Sequence, residues 1–421
     1  MSPKRPLRAM LLGALALFGA GTAWAQLLPQ GPVGGVLDGL GRIGSEALGT
    51  TLRMVEGTAR TAKALANARL DRLQRLVRAN GDLLEMTVLG PAVKGEIVAV
   101  DPEPAVIDAA LDAGFEIVSE ERIEGLHLRS VTLAVPRGFS VDRAMALLTR
   151  IAPGGEFAPN HLHLQSGRAA AIMLAGAAAA QGGGAPARIG IIDGGVAAHP
   201  SLGNVEQRGF VAGAPAPSAH GTAVASLAVG RSPMRSAAPG EPLLVADVYG
   251  RDPKGGNAVA IARALGFLAD RRVKVIGMSL VGPPNPLVAK AIGQAMARGI
   301  HVVAAVGNDG PAAPPAFPAS YKGVVAVTGV DGRDRALVEA GRSLHLDFAA
   351  PGADLAAASA RGGLVPVRGT SYAVPLVAAR LARASLDAIA SEARDLGPKG
   401  PDTIYGRGLV CGACRTPIGK K

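Results

Sequence analysis

Three residues able to carry out acyl transfer fall at the ends of elements read from the sequence. Asp193 closes the apolar run RIGIID, His220 opens HGTAVASL, and Ser371 follows Gly369-Thr370 at the head of an apolar helical stretch. A serine hydroxyl is a poor nucleophile until a base removes its proton. An imidazole is that base, and a carboxylate holds its tautomer and stabilises the imidazolium. The tetrahedral intermediate also needs donors for its oxyanion. Asn308, in GNDG after the run HVVAAV, offers a side-chain amide, and the Ser371 N–H at a helix start offers a second. Each residue has a bland reading. A strand-end Asp caps a turn, a lone His is structural, a Ser N-cap is worth about 0.5–2 kcal/mol, and Asn-Asp-Gly is turn chemistry. The ordered set, each member at an element end, favours the catalytic reading.

Such a site needs a rigid frame. From Arg188 onward near-continuous apolar strands (RIGIID, LLVADVY, VKVIGMSL, HVVAAV, GVVAVTGV) alternate with helical segments (HGTAVASLAVG, AVAIARALGFLAD, NPLVAKAIGQAMARG, TSYAVPLVAARLARASLDAIA). Strands apolar on both faces imply a parallel sheet covered by helices, an α/β three-layer αβα fold with its chemistry at the carboxyl ends of the strands. Residues 95–165 have another rhythm. Strand, helix, strand, strand, helix, strand is the ferredoxin-like α+β order, with Ser140 as N-cap of the second helix and 156–164 as the last strand. Residues 26–94 form a helical N-terminal region. Within it Leu65, Ala68, Leu70, Leu73, Leu76 and Val77 lie near one helical face. An Ala/Gly-rich linker, 166–187, leads into the catalytic domain at 188–421.

Residues 1–25 read as a signal peptide: Lys4, Arg5 and Arg8, a short apolar run, then Ala23-Trp24-Ala25. The run is too short for an ordinary membrane span, although an uncleaved anchor is the alternative. The expected location is periplasmic or secreted. Charge is unevenly spread. Residues 165–421 carry 27 Lys/Arg against 16 Asp/Glu, a balance of +11, whereas 95–164 carry 5 against 11, a balance of −6. An acidic segment ahead of a basic one suggests that the two dock. No basic run interleaves with aromatics, so nucleic-acid binding has no support. Cys411 and Cys414 form C-x-x-C. A local disulfide suits an oxidising compartment, while zinc would need two further ligands and a redox motif would need a thioredoxin-like context. His161 and His163 have metal-ligand spacing, but a pair of surface histidines on an edge strand is the simpler expectation. No metal is expected.

The sequences IIDGG, HGTAVAS and GTSYAVP resemble those of the subtilisin family. The resemblance spans about 188–410. It extends to His199-Pro200, Met278-Ser279-Leu280, Ala305-Val306-Gly307-Asn308, Ala350-Pro351-Gly352 and Tyr405-Gly406-Arg407-Gly408-Leu409. It implies a serine endopeptidase acting on polypeptides without a cofactor. Asp193, His220 and Ser371 would be the triad, and Asn308 and Ser371 the oxyanion donors. Substrate would add as a strand along Ser279, Leu280, Val281 and Gly282, next to Gly307. The chain departs from the family at Val281, where many members have Gly, and at Tyr372, where many have Met. Loop 230–238 lacks the oxygens of a familiar calcium site. Residues 95–165 resemble the family's propeptide, an inhibitor and intramolecular chaperone. Its final strand would lie in the cleft as product, with cleavage within His161–Ala170. Leu164–Gln165 is the expected bond, and one beside Ala169 or Ala170 the fallback. Two other classes remain: a silent binding protein that keeps the fold, and a transpeptidase using the same acyl-enzyme.

Overall fold

A computed structural model describes residues 45–166 and 188–418. The signal peptide, the start of the helical region and the 167–187 part of the linker lie outside the described residues. The chain forms two compact units, 1–58 and 59–421. Of the first, only the opening turns of helix α1 (Ser45–Ala79) are described.

Seven strands make one all-parallel sheet. In chain order they are β7 (Ile189–Asp193), β8 (Val205–Gly209), β9 (Leu243–Asp247), β10 (Val275–Met278), β12 (His301–Ala305), β13 (Val325–Val330) and β14 (Phe348–Pro351). Their order across the sheet is β14-β13-β12-β10-β7-β9-β8. Side chains alternate along each strand. Ile189, Ile191 and Val245 pack with α4 (Ala219–Val229) and α7 (Val374–Leu381). Ile192, Leu244 and Ile276 pack with α5 (Ala258–Asp270) and α6 (Pro286–Ala297). This is the three-layer arrangement expected from apolar runs with no polar face. A two-residue strand, β11 (Leu280–Val281), follows β10 outside the main sheet.

The stretch 370–390, expected as one helix, is divided. A 3₁₀ turn at Thr370–Tyr372 precedes α7, and α8 (Leu386–Glu392) begins after Ser385, whose side chain caps the Ala388 N–H. Strands β8 and β14 and the hairpin β15 (Leu355–Ala358)–β16 (Leu364–Val367) were not legible in the sequence. They are short, and β8 (VEQRG) and β14 (FAAP) carry few branched apolar residues.

Ahead of this lies a smaller antiparallel sheet: β1 (Leu84–Met86), β2 (Pro91–Val100), β3 (Glu116–Ile123), β4 (Leu128–Ala134) and β5 (Phe157–His161). Strands β5, β2, β4 and β3 lie in the spatial order of a ferredoxin-like unit. Helices α2 (Pro104–Asp112) and α3 (Val141–Ile151) pack on one face through Ile107, Ala110, Ala144 and Leu148. Ser140 caps α3 by accepting from the Arg143 N–H. The sheet starts at Leu84, earlier than the pattern at 95 suggested, because Leu84, Val93 and Leu162 share one apolar cluster. The last strand is also shorter than expected. It stops at His161, and β6 (Leu164–Gln165) pairs instead with β11 of the larger unit. No described helix is long and apolar enough to cross a membrane.

Candidate active site

The carboxyl edge of the parallel sheet gathers the residues singled out above. Asp193 is the last residue of β7, and His220 is the second residue of α4. The two are brought together by backbone contact. A Cβ on Gly221 would lie 2.1 Å from the Gly194 carbonyl oxygen, so only glycine lets α4 start against the turn that follows Asp193. His220 Nδ1 sits 2.9 Å from both Asp193 oxygens, with both side chains 1% exposed. Nδ1–H therefore donates to the carboxylate, and the Nε2 lone pair is left free. His220 Nε2 and Ser371 Oγ are both buried and without a hydrogen-bond partner. The Gly194 N–H, at 2.6 Å, and Gln165 Nε2, at 2.9 Å, also donate to Asp193 Oδ1.

Ser371 lies in the 3₁₀ turn ahead of α7, and its carbonyl accepts from Ser279 Oγ at 2.8 Å. Tyr372 is buried with its ring 5.3 Å from the His220 ring, centre to centre. Burial, reinforced by the Asp193 charge, raises the Tyr372 phenol above its usual range. Asn308 Oδ1 accepts the Thr370 N–H at 2.9 Å, which fixes the amide so that Nδ2 must donate elsewhere. Nδ2 donates to the Ser166 carbonyl oxygen at 2.7 Å.

The chain from His163 to Ser166 runs between two walls. On one side the Ser166 N–H donates to the Ser279 carbonyl at 3.1 Å, and β6 pairs antiparallel with β11, Gln165 opposite Leu280 and Leu164 opposite Val281. On the other side the His163 N–H donates to the Gly256 carbonyl at 2.7 Å, and Tyr249 Oη donates to the His163 carbonyl at 2.9 Å. Gly282 pairs with Phe317 rather than with this strand. Its lack of a side chain makes the hollow for His163, whose Cδ2 would lie 2.5 Å from a Cβ there. Val281 leans over Gly307, with Cγ1 3.4 Å from where a Gly307 Cβ would be.

Two expectations change. His161 and His163 are not surface residues; both are buried, His161 at the end of β5 against Thr87 and Asn285, and His163 where the chain enters the cleft beside Gly282. Burial lowers the His161 imidazole to about 4 and the His163 imidazole to about 3. The strand is also shifted two residues from the expected bond, with the Ser166 carbonyl, not that of Leu164, against Asn308. Tyr249 and Gly256 were missed by sequence reasoning. The one available signal was the place of Tyr249 at the carboxyl end of the run LLVADVY. Burial, with the Asp193 and Asp247 charges, raises the Tyr249 hydroxyl well above its usual range and keeps it a donor. Cys411 and Cys414 are joined as a disulfide far along the chain from these residues. Among the described residues no three His, Cys, Asp or Glu side chains cluster as a metal site.

Residues 185–395 match the model of the subtilase family. Subtilisin BL of Lederbergia lenta is 30% identical over 202 residues, covering 46% of this chain and 74% of that protein. Thermitase of Thermoactinomyces vulgaris is 33% identical over 207 residues, covering 46% and 73%. Among solved structures, fervidolysin of Fervidobacterium pennivorans, a keratinolytic enzyme related to subtilisin, is similar in fold, with a TM-score of 0.62 at 18% identity over 80% of this chain and 62% of that one. Fold, motif order and family match agree, and the chain belongs to the subtilase family of serine proteases.

Proposed function

We propose that this chain is a serine endopeptidase made as a zymogen, exported to the periplasm or beyond, that cuts itself after Ser166. The observation that carries the reading is the pair of bonds on Ser166. Its N–H is held by the Ser279 carbonyl while its carbonyl oxygen receives Asn308 Nδ2. A peptide held in this way presents the carbonyl of the residue to be cut (P1) to an oxyanion donor.

The steps follow from the residues. Asp193 fixes His220 with Nε2 as base. Nε2 takes the Ser371 hydroxyl proton as Oγ attacks the Ser166 carbonyl carbon. The oxygen becomes negative and is held by Asn308 Nδ2 and the Ser371 N–H. The carbon–nitrogen bond to Gly167 breaks, and Nε2 hands its proton to the leaving amine. Water, deprotonated by the same imidazole, then releases the Ser166 carboxylate from Ser371. No cofactor enters. The leaning Val281 favours small P1 residues, in accord with serine at that position. The released segment, acidic where the protease part is basic, would bind its own enzyme as a product and inhibitor.

N-terminal sequencing of active protein tests the reading. The mature chain should begin at Gly167, and Ser371→Ala should leave the 166–167 bond intact. Fully active protein still carrying residues 95–166 uncut would defeat it. Labelling of Ser371 by a fluorophosphonate excludes the silent binding protein, and product analysis separates hydrolysis from transpeptidation.

A further inference from the structure

Helix α1 has no counterpart in the ferredoxin-like unit, yet it contacts the cleft. From Ala62 onward its less exposed residues fall at helical spacing: Ala62, Leu65, Ala66, Arg69, Leu73, Leu76 and Val77. This face does not serve the small sheet alone. Leu76 and Val77 share an apolar cluster with Leu162 and Leu164, the segment that enters the cleft. One and two turns towards the N-terminus, an Arg72 nitrogen lies 2.6 Å from Asp309 Oδ1 and Arg69 Nε lies 3.2 Å from Oδ2. Asp309 follows Asn308 directly in sequence, and its side chain is only 15% exposed. Farther along, Leu65 covers Gly310: its Cβ and Cδ1 would lie 3.0 Å from a Cβ there. An arginine within an otherwise apolar helix face costs desolvation unless it meets a carboxylate. Arg69 meets the one beside the oxyanion donor.

We propose that residues 60–79 of α1 are a strap that locks the cut pro-segment in the cleft, holding the Leu162 cluster through Leu76 and Val77 and the 308–310 loop through Arg69, Arg72 and Leu65. The proposal rests on the zymogen reading and adds a second step to it. Cutting after Ser166 frees a new chain end, but the fragment stays anchored on both the strand it donates and the loop that carries Asn308. Activity waits on release of the strap, not on the first cut.

The test follows full-length wild type, Arg69→Glu/Arg72→Glu and the milder Arg69→Gln/Arg72→Gln. Mass spectrometry records cutting at Ser166–Gly167, and a peptide substrate records turnover. Cutting should keep its wild-type rate, which also reports that the variants fold. The delay between cutting and turnover should shorten roughly tenfold in the Glu variant and less in the Gln variant. Adding Asp309→Arg to the Glu variant should restore the delay. An unchanged delay in both variants, with cutting intact, overturns the strap and leaves the zymogen reading standing. Absence of any cut in wild type removes the zymogen reading instead. The strap is then judged by hydrogen exchange at 162–166, which charge reversal must accelerate and which, if unchanged, refutes it.

Discussion

The two sheets of this chain solve burial in different ways. The seven-stranded parallel sheet owns helices for both of its faces, α4 and α7 on one side and α5 and α6 on the other. The small antiparallel sheet owns helices for only one. Ile97, Val131 and Leu133 face α2 and α3. Val98, Val100, Ile123 and Leu128, on the opposite face, belong to the core built on α5 and α6 of the protease unit. Charge follows the same seam: Glu121 pairs with Arg263, Asp101 with Lys290, and Gln294 exchanges hydrogen bonds with the His127 backbone. A sheet that completes itself can hold a catalytic site alone. A sheet with one uncovered apolar face is built to dock, and its stability is tied to its partner.

The contrast is broken most severely at the nucleophile. If the larger unit alone supplies the chemistry, Ser371→Ala or His220→Ala should abolish proteolysis of added peptide and of the 166–167 bond alike. Peptide hydrolysis that survives in Ser371→Ala would place the chemistry elsewhere. Asn308→Ala should lower kcat by about 10²–10³ with little change in KM, because the amide acts mainly on the transition-state oxyanion. A near-normal kcat would remove Asn308 from the catalytic set.

Acidity sharpens the contrast next. His161 Nδ1 lies 3.4 Å from Asn285 Nδ2, whose amide is oriented by its Oδ1 capping α6, and His161 Nε2 lies 3.2 Å from Thr87 Oγ1. A proton on Nδ1 would face an N–H. Docked, the two imidazoles titrate at about 4 and about 3; released, each returns towards about 6.5. On the proposed zymogen reading the released segment would therefore bind more protons, and docking should weaken as pH falls. The contribution is complete above pH 6.5 and is lost as pH drops towards 4 and 3. At pH 5 each ring disfavours docking by up to about 2 kcal/mol, roughly 30-fold. Inhibition by the cut segment, measured at pH 7.5 and pH 5, should weaken by about 10²–10³. A pH-independent inhibition constant would exclude burial of these rings in the complex.

Two neighbours on β2 distinguish the sheet's faces directly. Ile97→Ala removes a residue from the small unit's own core and should destabilise that unit by about 2–4 kcal/mol in thermal unfolding. Val98→Ala trims the docking face and should weaken inhibition by about 1–2 kcal/mol while changing the unit's own unfolding less. Equal effects of both on both measurements would erase the distinction. The smallest effects lie in the cleft. Val281→Gly should extend P1 tolerance towards larger residues in a peptide library. Peroxide should inactivate slowly, since Tyr372 beside the nucleophile carries no sulfur to oxidise.

The amino-acid sequence by itself determined the layers and singled out the candidate catalytic residues. The runs IGII and VVAAV, inside RIGIID and HVVAAV, are apolar at every position and rich in branched residues, so they read as strands covered on both faces, and their ends place Asp193 and Asn308 at one edge. Local chemistry of this kind is written in consecutive residues. What only the tertiary structure decided depends on residues far apart in the chain. His161 and His163 look like an alternating edge strand, and nothing local says that the chain abandons β2 after His161 to pair with β11. The register of that pairing, which sets Ser166 rather than Leu164 against Asn308, follows from Gly282 making room for His163 and from backbone bonds to Ser279 and Gly256. The face of α1 is the same case. Ala68 and Leu70 share the apolar pattern of Leu73 and Leu76, yet both are exposed, because Arg69 turns inward to a carboxylate 240 positions along the chain. Periodicity records which residues are apolar, and the partner across the interface decides which of them are buried.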